Sequence, residues 1–445
     1  MTTIAEKPRR TLVAGIDFGT SYSKVVLREQ AIGRDAVVVT FAKHPDGLLD
    51  SLVGIDDGRL VPPAALDDCA CVPYLKMLAA QSADGSPLDR GPVHVPAALT
   101  AIRQQQGDAK VIRDLLSFYF AHVMAGIEDF IRKHSPWRNF DLSPDNKKDY
   151  LVFQLAVPTG LLDNDGATER LFRKAFIVAY ELRTKVDPQM VKPHLYSVWA
   201  EQVDEIVSVG LPGLEQKHPW QCLHYPEVLA AMQTVFRSPN PQQDGLYITM
   251  DVGAGTVELN AFRRNTGEHL PPQERTNAQR NHDYYSMSVR PLGIHNLHDP
   301  HGLVVPRARH ELVGELRNEI TMLYHRATVR QPNHGHVPGT RTWDRGRFMI
   351  FGGGARLAPY REAFHDALER QPLAIHLPQI SDLPAPTDLQ RPTHVDFGRF
   401  AVAYGMSFFR PNLDDWRPPN DILPFNDLYP PDPNPPPPYG FNWDD

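Results

Sequence analysis

An α/β fold of two lobes closing on a phosphate chain is what these 445 residues predict, and three stretches predict it. Residues 12–27 and 246–262 repeat one pattern: an apolar strand, a turn carrying aspartate and glycine, and a second apolar strand. Residues 348–356 then run a strand into three consecutive glycines, ahead of a helical pattern over 359–368. One acidic glycine hairpin is an ordinary turn. Two in one chain, followed by a glycine-rich strand-to-helix turn, fit two halves that meet on one polyanion.

The first hairpin has the chemistry of a phosphate cradle. Residues 13–16 and 25–27 have the β-branched content of buried strands. Between them Gly19 lets the backbone approach an anion, Thr20, Ser21 and Tyr22 offer hydroxyl and amide donors, and Lys24 adds a positive charge. Asp17 ends the first strand facing the same cavity, where a carboxylate is costly unless it meets a cation or a metal-bound water. The second hairpin repeats this logic with Asp251 ahead of Gly253, Ala254, Gly255 and Thr256, and with Glu258 opening its second strand. In the third stretch Gly352, Gly353 and Gly354 let a flat base lie against the backbone, with Arg356 free to stack over it.

The order of these motifs resembles the actin, sugar-kinase and heat-shock ATPase superfamily, and most of all the nucleotide-binding domain of the seventy-kilodalton heat-shock chaperones (DnaK type), over residues 12–410. The resemblance implies a two-lobed actin-like ATPase fold, duplicated ribonuclease-H-like lobes with a nucleotide cleft between them. It implies ATP or ADP as ligand and Mg2+ as the metal, with Asp17 and Asp251 holding the ion largely through its water. The family's lysine that reaches the terminal phosphate falls on Lys76, a residue that an exposed position on a short helix would explain equally. The family's water-positioning glutamate falls on Glu201 or on Glu227, so that one of their two segments is an insertion. Glu258 stands where the family has an aspartate, and Arg399 where it has an acid beside the nucleotide. Only about sixty residues separate Gly293 from the adenosine motif, fewer than the family's full outer subdomain of the second lobe occupies. No peptide-binding β-domain is expected.

The remaining elements follow in order. Residues 37–41 predict a third strand, and 45–99 are rich in proline, glycine and aspartate with short apolar runs. Apolar residues at three- and four-residue steps predict a long helix over 111–131, whose role is core packing. Residues 151–157 predict a buried strand, 167–182 a helix, 194–200 a strand with a short helix over 202–209, and 228–236 another helix. A polar loop over 263–283, a strand and glycine turn over 289–293, and a helix over 311–326 come next. Residues 397–407 read as a last helix, whose small residues let two helices pack closely. His295, His298, His301 and Asp299 have a metal-like spacing, but Pro300 breaks any helix through them and solvated loop histidines are the plainer reading. The domain plan is thus a first lobe over 11–205 with an inserted subdomain near 45–145, a second lobe over 206–410 whose last helix returns to the first, and a disordered tail over 411–445.

Composition narrows the function. A net charge of -7 and no basic run argue against nucleic-acid binding. Cys69, Cys71 and Cys222 fit neither zinc spacing nor a closed disulfide framework, so reduced thiols and a cytoplasmic setting are expected. No apolar run reaches the ~18 residues of a membrane span. The tail is rich in proline and aspartate, and its Pro436, Pro437, Pro438 and Tyr439 fit the pattern read by WW modules, so a protein partner or client through the tail is expected. The function expected is that of a magnesium-dependent, chaperone-like ATPase whose lobes close on ATP. The alternatives are an actin-like filament former, a non-hydrolysing nucleotide sensor, and a small-molecule kinase using Asp163 or Asp165.

Overall fold

The computed structural model describes residues 10–30, 35–66, 70–83, 88, 93–143, 149–158, 166–218, 222–238, 245–265, 281–304, 306–330, 346–369 and 380–419. Cys69, Asp163, Asp165 and the motif from Pro436 to Tyr439 lie outside them. The protein is a mixed α/β structure whose two larger sheets share one strand order.

In the first sheet Arg10–Phe18 runs antiparallel to Tyr22–Glu29 and parallel to Asp149–Val157. Ala36–Val38 lies beyond the hairpin on one side and Cys222–Pro226 beyond Asp149–Val157 on the other. The second sheet repeats this plan. Gly245–Val252 runs antiparallel to Val257–Asn265 and parallel to Arg347–Phe351, with Asn281–Arg290 and Ile380–Asp382 outside them. In both, therefore, an antiparallel hairpin supplies a central strand and the crossover strands add in parallel. Central strands covered on both faces need continuous apolar runs, which is what Leu12, Val13 and Ala14 and, in the second sheet, Leu246, Tyr247 and Ile248 provide.

Helices cover every face. Asp108–Lys133 and Ala167–Leu182 pack on the outer face of the first sheet through Ile112, Leu116, Phe120, Phe172, Phe176 and their neighbours. Arg309–Arg330 and Ala358–Glu369 cover the outer face of the second. Glu227–Phe236 and Ala401–Met406 share one core with residues of both sheets, Val26 and Ala156 from the first and Phe262 and Met349 from the second. The last two helices approach so closely that a side chain at Gly405 would overlap the Ala230 carbonyl. Gly405→Ala is therefore expected to cost about 3 kcal/mol, as overpacking against unyielding backbone does, and urea unfolding checks it.

Several boundaries differ from the sequence reading. The first unit does not end at 205, because Cys222–Pro226 completes its sheet, and the chain passes to the second after Glu227–Phe236. Residues 194–200 are not a strand: His194–Leu195 alone pairs, with Arg59–Val61 in a separate four-stranded sheet, and Tyr196–Val207 is a helix. That sheet lies in an excursion from the first unit, but Asp108–Lys133, expected within the inserted 45–145, packs on the first sheet itself. The second sheet's outer strand starts at Asn281, well before the expected 289. The chain past 410 is not all tail, since Asp415–Arg417 pairs in parallel with Asn281–Arg290 and the Tyr225 hydroxyl donates to the Asp414 carbonyl. Among the described residues no helix is long and apolar enough to cross a membrane.

Candidate functional site

The two hairpins point at each other. Their turns line one cavity of about 390 Å3, together with the amino ends of Leu75–Ala83 and Glu227–Phe236 and the turns at 293–300, 351–353 and 398–402. Asp17 and Asp251, from corresponding strand ends in the two sheets, both line it. So do Gly19, Thr20, Ser21, Tyr22 and Lys24 from the first hairpin and Gly253, Ala254, Thr256 and Glu258 from the second. Gly255 lies at the contact between the turns, where a side chain would run into Thr20 and Met77.

Backbone hydrogen bonds fix the second turn. Gly253 N donates to Thr256 O at 2.9 Å, Ile294 N to Gly253 O at 3.1 Å and His295 N to Ala254 O at 2.8 Å. Gly352 (φ +90°) is held where a side chain would overlap the Asp251 carboxylate, so glycine is needed there for both conformation and space. Gly352 and Gly353 line the cavity, whereas Gly354 packs against Val252 and Ile294. Arg356 is not placed over the cavity. It pairs with Asp396 at 2.6 Å, largely in solvent, and lines an adjoining cavity of about 430 Å3 that shares Phe351, Gly352 and Gly398 with the first. Arg399, from the turn before the last helix, lines the first cavity instead.

Lys76 is buried rather than exposed, and its ammonium donates to Glu227 Oε1 at 2.5 Å. Of the two glutamates, Glu227 lines this cavity and Glu201 does not. Glu227 begins its helix directly after the outermost parallel strand of the first sheet and faces the cavity, while Glu201 is exposed on Tyr196–Val207, in the excursion, and does not line it. Contrary to the sequence expectation, Glu201 therefore stands apart from this site.

The electrostatics of the cavity are unbalanced. Asp17 and Lys24 are cross-strand partners and form a 2.8 Å ion pair. The corresponding pair in the second hairpin is Asp251 with Glu258, two acids. Burial, then the charges of Glu258 and Asp17, push the Asp251 carboxyl up to about 7. Burial likewise raises Glu227 against the pull of Lys76. For Lys76 burial works downward, but Glu227, Asp17 and Glu258 outweigh it and hold the ammonium charged. Asp17, Asp251, Glu227 and Glu258 thus share the cavity with Lys24, Lys76 and Arg399, and no three of the four carboxylates gather their oxygens about one point.

The histidine loop is a built part of this site. His295 is buried, with Nε2 2.7 Å from Ser21 Oγ and Nδ1 3.2 Å from the Tyr74 hydroxyl. The reading of solvated loop histidines fails for it. Among the described residues the histidines of this loop and Asp299 do not gather their ligand atoms about one point. Tyr74 and His295 were missed as partners because 221 positions separate them.

No family model matches this chain, and no curated protein does.

Proposed function

We propose that this chain is a magnesium-dependent ATP-binding ATPase with an actin-like, two-lobed fold, resembling the nucleotide-binding domain of heat-shock chaperones and working in the cytoplasm. The observation that carries the reading is the presence of Asp17 and Asp251 in one cavity, presented by matching hairpins of two sheets with the same strand order. The repeated order and the two helices shared between the sheets support duplicated ribonuclease-H-like lobes.

The residues fit the group. Turn amides and the hydroxyls of Thr20, Ser21 and Thr256 suit phosphate oxygens, and Lys24, Lys76 and Arg399 bring positive charge to the same space. Asp17 and Asp251, with Glu258 beside the latter, suit magnesium, which when bound neutralises phosphate charge and orders its waters. Glu227 is the residue to orient the attacking water. Its burial raises its affinity for a proton toward the range where a carboxylate is an effective base near neutral pH. Lys76, held by that same carboxylate, stabilises charge developing on the transferred phosphoryl group. Closure of the lobes on ATP would be read by a protein partner.

Calorimetric titration with ATP and ADP, with and without magnesium, tests the reading on the full chain and on the Asp17→Ala, Asp251→Ala double variant. Magnesium-dependent heat in the parent and its loss in the variant are expected. Equal heats in the two proteins would end the proposal.

A further inference from the structure

The geometry points to Ser21 as a phosphoryl acceptor: a hydroxyl in the phosphate cradle, with His295 as its base, that takes the terminal phosphoryl group of the bound nucleotide. This rests on the nucleotide reading above and goes beyond hydrolysis. A nucleophilic hydroxyl needs a base in hydrogen-bond reach and a third group to orient that base. All three are present. Ser21 lines the cavity and its Oγ lies 2.7 Å from His295 Nε2. The other ring nitrogen faces the Tyr74 hydroxyl at 3.2 Å and Asp299 Oδ1 at 3.6 Å.

Hydrogen-bond directions along this chain are fixed by its far end. The Asp299 carboxylate accepts from the amides of His301 at 2.9 Å and Val304 at 2.6 Å, and from the Tyr74 hydroxyl. Burial opposes the Asp299 charge, but those donors outweigh it and lower its affinity for a proton. Tyr74, raised by burial and by its bond to Asp299, keeps its proton and must donate it to that carboxylate. The phenol oxygen is then left to accept from His295 Nδ1–H. In the neutral ring Nε2 is therefore bare and accepts from the Ser21 hydroxyl, whose lone pairs are free for the cavity. Burial lowers His295 below the usual imidazole range, which favours that neutral form.

The arrangement is held from both sides. His295 is anchored by its own amide to Ala254 O of the second hairpin, while its ring reaches the first. Tyr74 sits at φ +60°, a left-handed conformation costing a bulky residue about 1 kcal/mol, which its contacts to His295 and Asp299 sustain. Val93 and Val304 pair as an isolated bridge, and His94 N donates to Leu303 O at 2.9 Å, tying this loop to the first unit's excursion.

The step balances without another reactant. Ser21 Oγ forms a bond to the terminal phosphorus as the bond from that phosphorus to the bridging oxygen breaks. That bond's electron pair leaves on the nucleoside diphosphate, and the hydroxyl proton passes to His295 Nε2. The imidazolium so formed lies beside the Asp299 carboxylate. Phosphoserine at this position would occupy the cradle, so the modified chain is expected to bind ATP weakly.

The test incubates the full chain with magnesium and ATP labelled on its terminal phosphate, maps the label by mass spectrometry, and measures ATP binding by calorimetry in parallel. Label on Ser21 is expected, with none on that peptide in Ser21→Ala. Measured at saturating ATP, His295→Asn is expected to slow labelling about a hundredfold, and Tyr74→Phe about tenfold. Labelling should fall on acidification as His295, which faces Tyr74, Asp299, His298 and His301, takes up a proton. A chain that binds ATP yet leaves Ser21 unlabelled, or a Tyr74→Phe variant labelled at the parent's rate and pH dependence, overturns the acceptor role alone. A chain that binds no ATP removes the nucleotide reading with it.

Discussion

Lys76→Met is expected to lower ATP turnover by about a hundredfold and to destabilise the chain by about 3 kcal/mol at pH 10. The methionine keeps the length and apolar stem of lysine, so packing within Leu75–Ala83 changes little. What goes is the one cation hydrogen-bonded to Glu227 in a fully buried position. Breaking a buried pair leaves a charge in low dielectric, which costs more than the pair itself gained. The sign with pH follows. Without Lys76 the folded-state affinity of Glu227 for a proton rises further above its unfolded value. The gap between variant and parent is then constant while folded Glu227 holds its proton in both, and it opens as pH rises through about 8, where the carboxyl ionises beside Lys76 in the parent but stays protonated in the variant. Urea unfolding of parent and variant between pH 6 and pH 10 measures this difference. A gap between the two proteins that does not shrink on acidification would exclude Glu227 as the stranded charge. Catalysis is checked by steady-state ATP consumption, where loss of kcat with little change in KM is the expected pattern.

The parts of this site legible in the sequence were those written in contiguous turns. Asp17 through Lys24 and Asp251 through Glu258 carry their chemistry within a few residues of one another, so strand pattern and glycine placement sufficed. The helix over 167–182 was equally plain, because Phe172, Phe176 and Ala179 recur on one face. Choices that depended on distant pairing were not legible. Glu201 and Glu227 each sit near a short strand candidate and a helix, and only the pairing of Cys222–Pro226 with Asp149–Val157 tells them apart. Tyr196, Val198 and Trp199 favour a strand by residue type, yet Tyr196, Trp199, Ala200 and Val203 are the buried set, at helical steps. Arg356 adjoins the glycines as expected, but Asp396, forty positions on, draws it aside. The strand Asn281–Arg290 hid because polar side chains fill many of its buried positions: His282, Ser286 and Ser288 are buried beside Tyr284 and Tyr285, so no apolar alternation marks it.

Asp251→Asn is expected to stabilise the metal-free chain by about 2 kcal/mol at pH 8 while weakening magnesium-dependent ATP binding about a hundredfold. Both effects come from one cross-strand pair. Facing acids on adjacent strands repel, and here both line one cavity. With its carboxyl raised to about 7 when folded, against 3.8 as the ordinary value, Asp251 binds more protons folded than unfolded between those two values. Stability therefore falls as pH rises through that window and levels off above it, by on the order of 4 kcal/mol for the full shift. An amide of the same shape cannot ionise, but it remains a buried polar group, so it recovers part of that figure. In the first hairpin Lys24 occupies the position corresponding to Glu258 and forms an ion pair with Asp17, so Asp17→Asn is expected to bring no such gain. The contrast between the two hairpins is that the second pairs two acids where the first pairs an acid with a lysine. Thermal unfolding in chelator across pH 4 to 8 tests it. A difference between Asp251→Asn and parent that is independent of pH, or a gain of the same size in Asp17→Asn, would refute the origin assigned to it here.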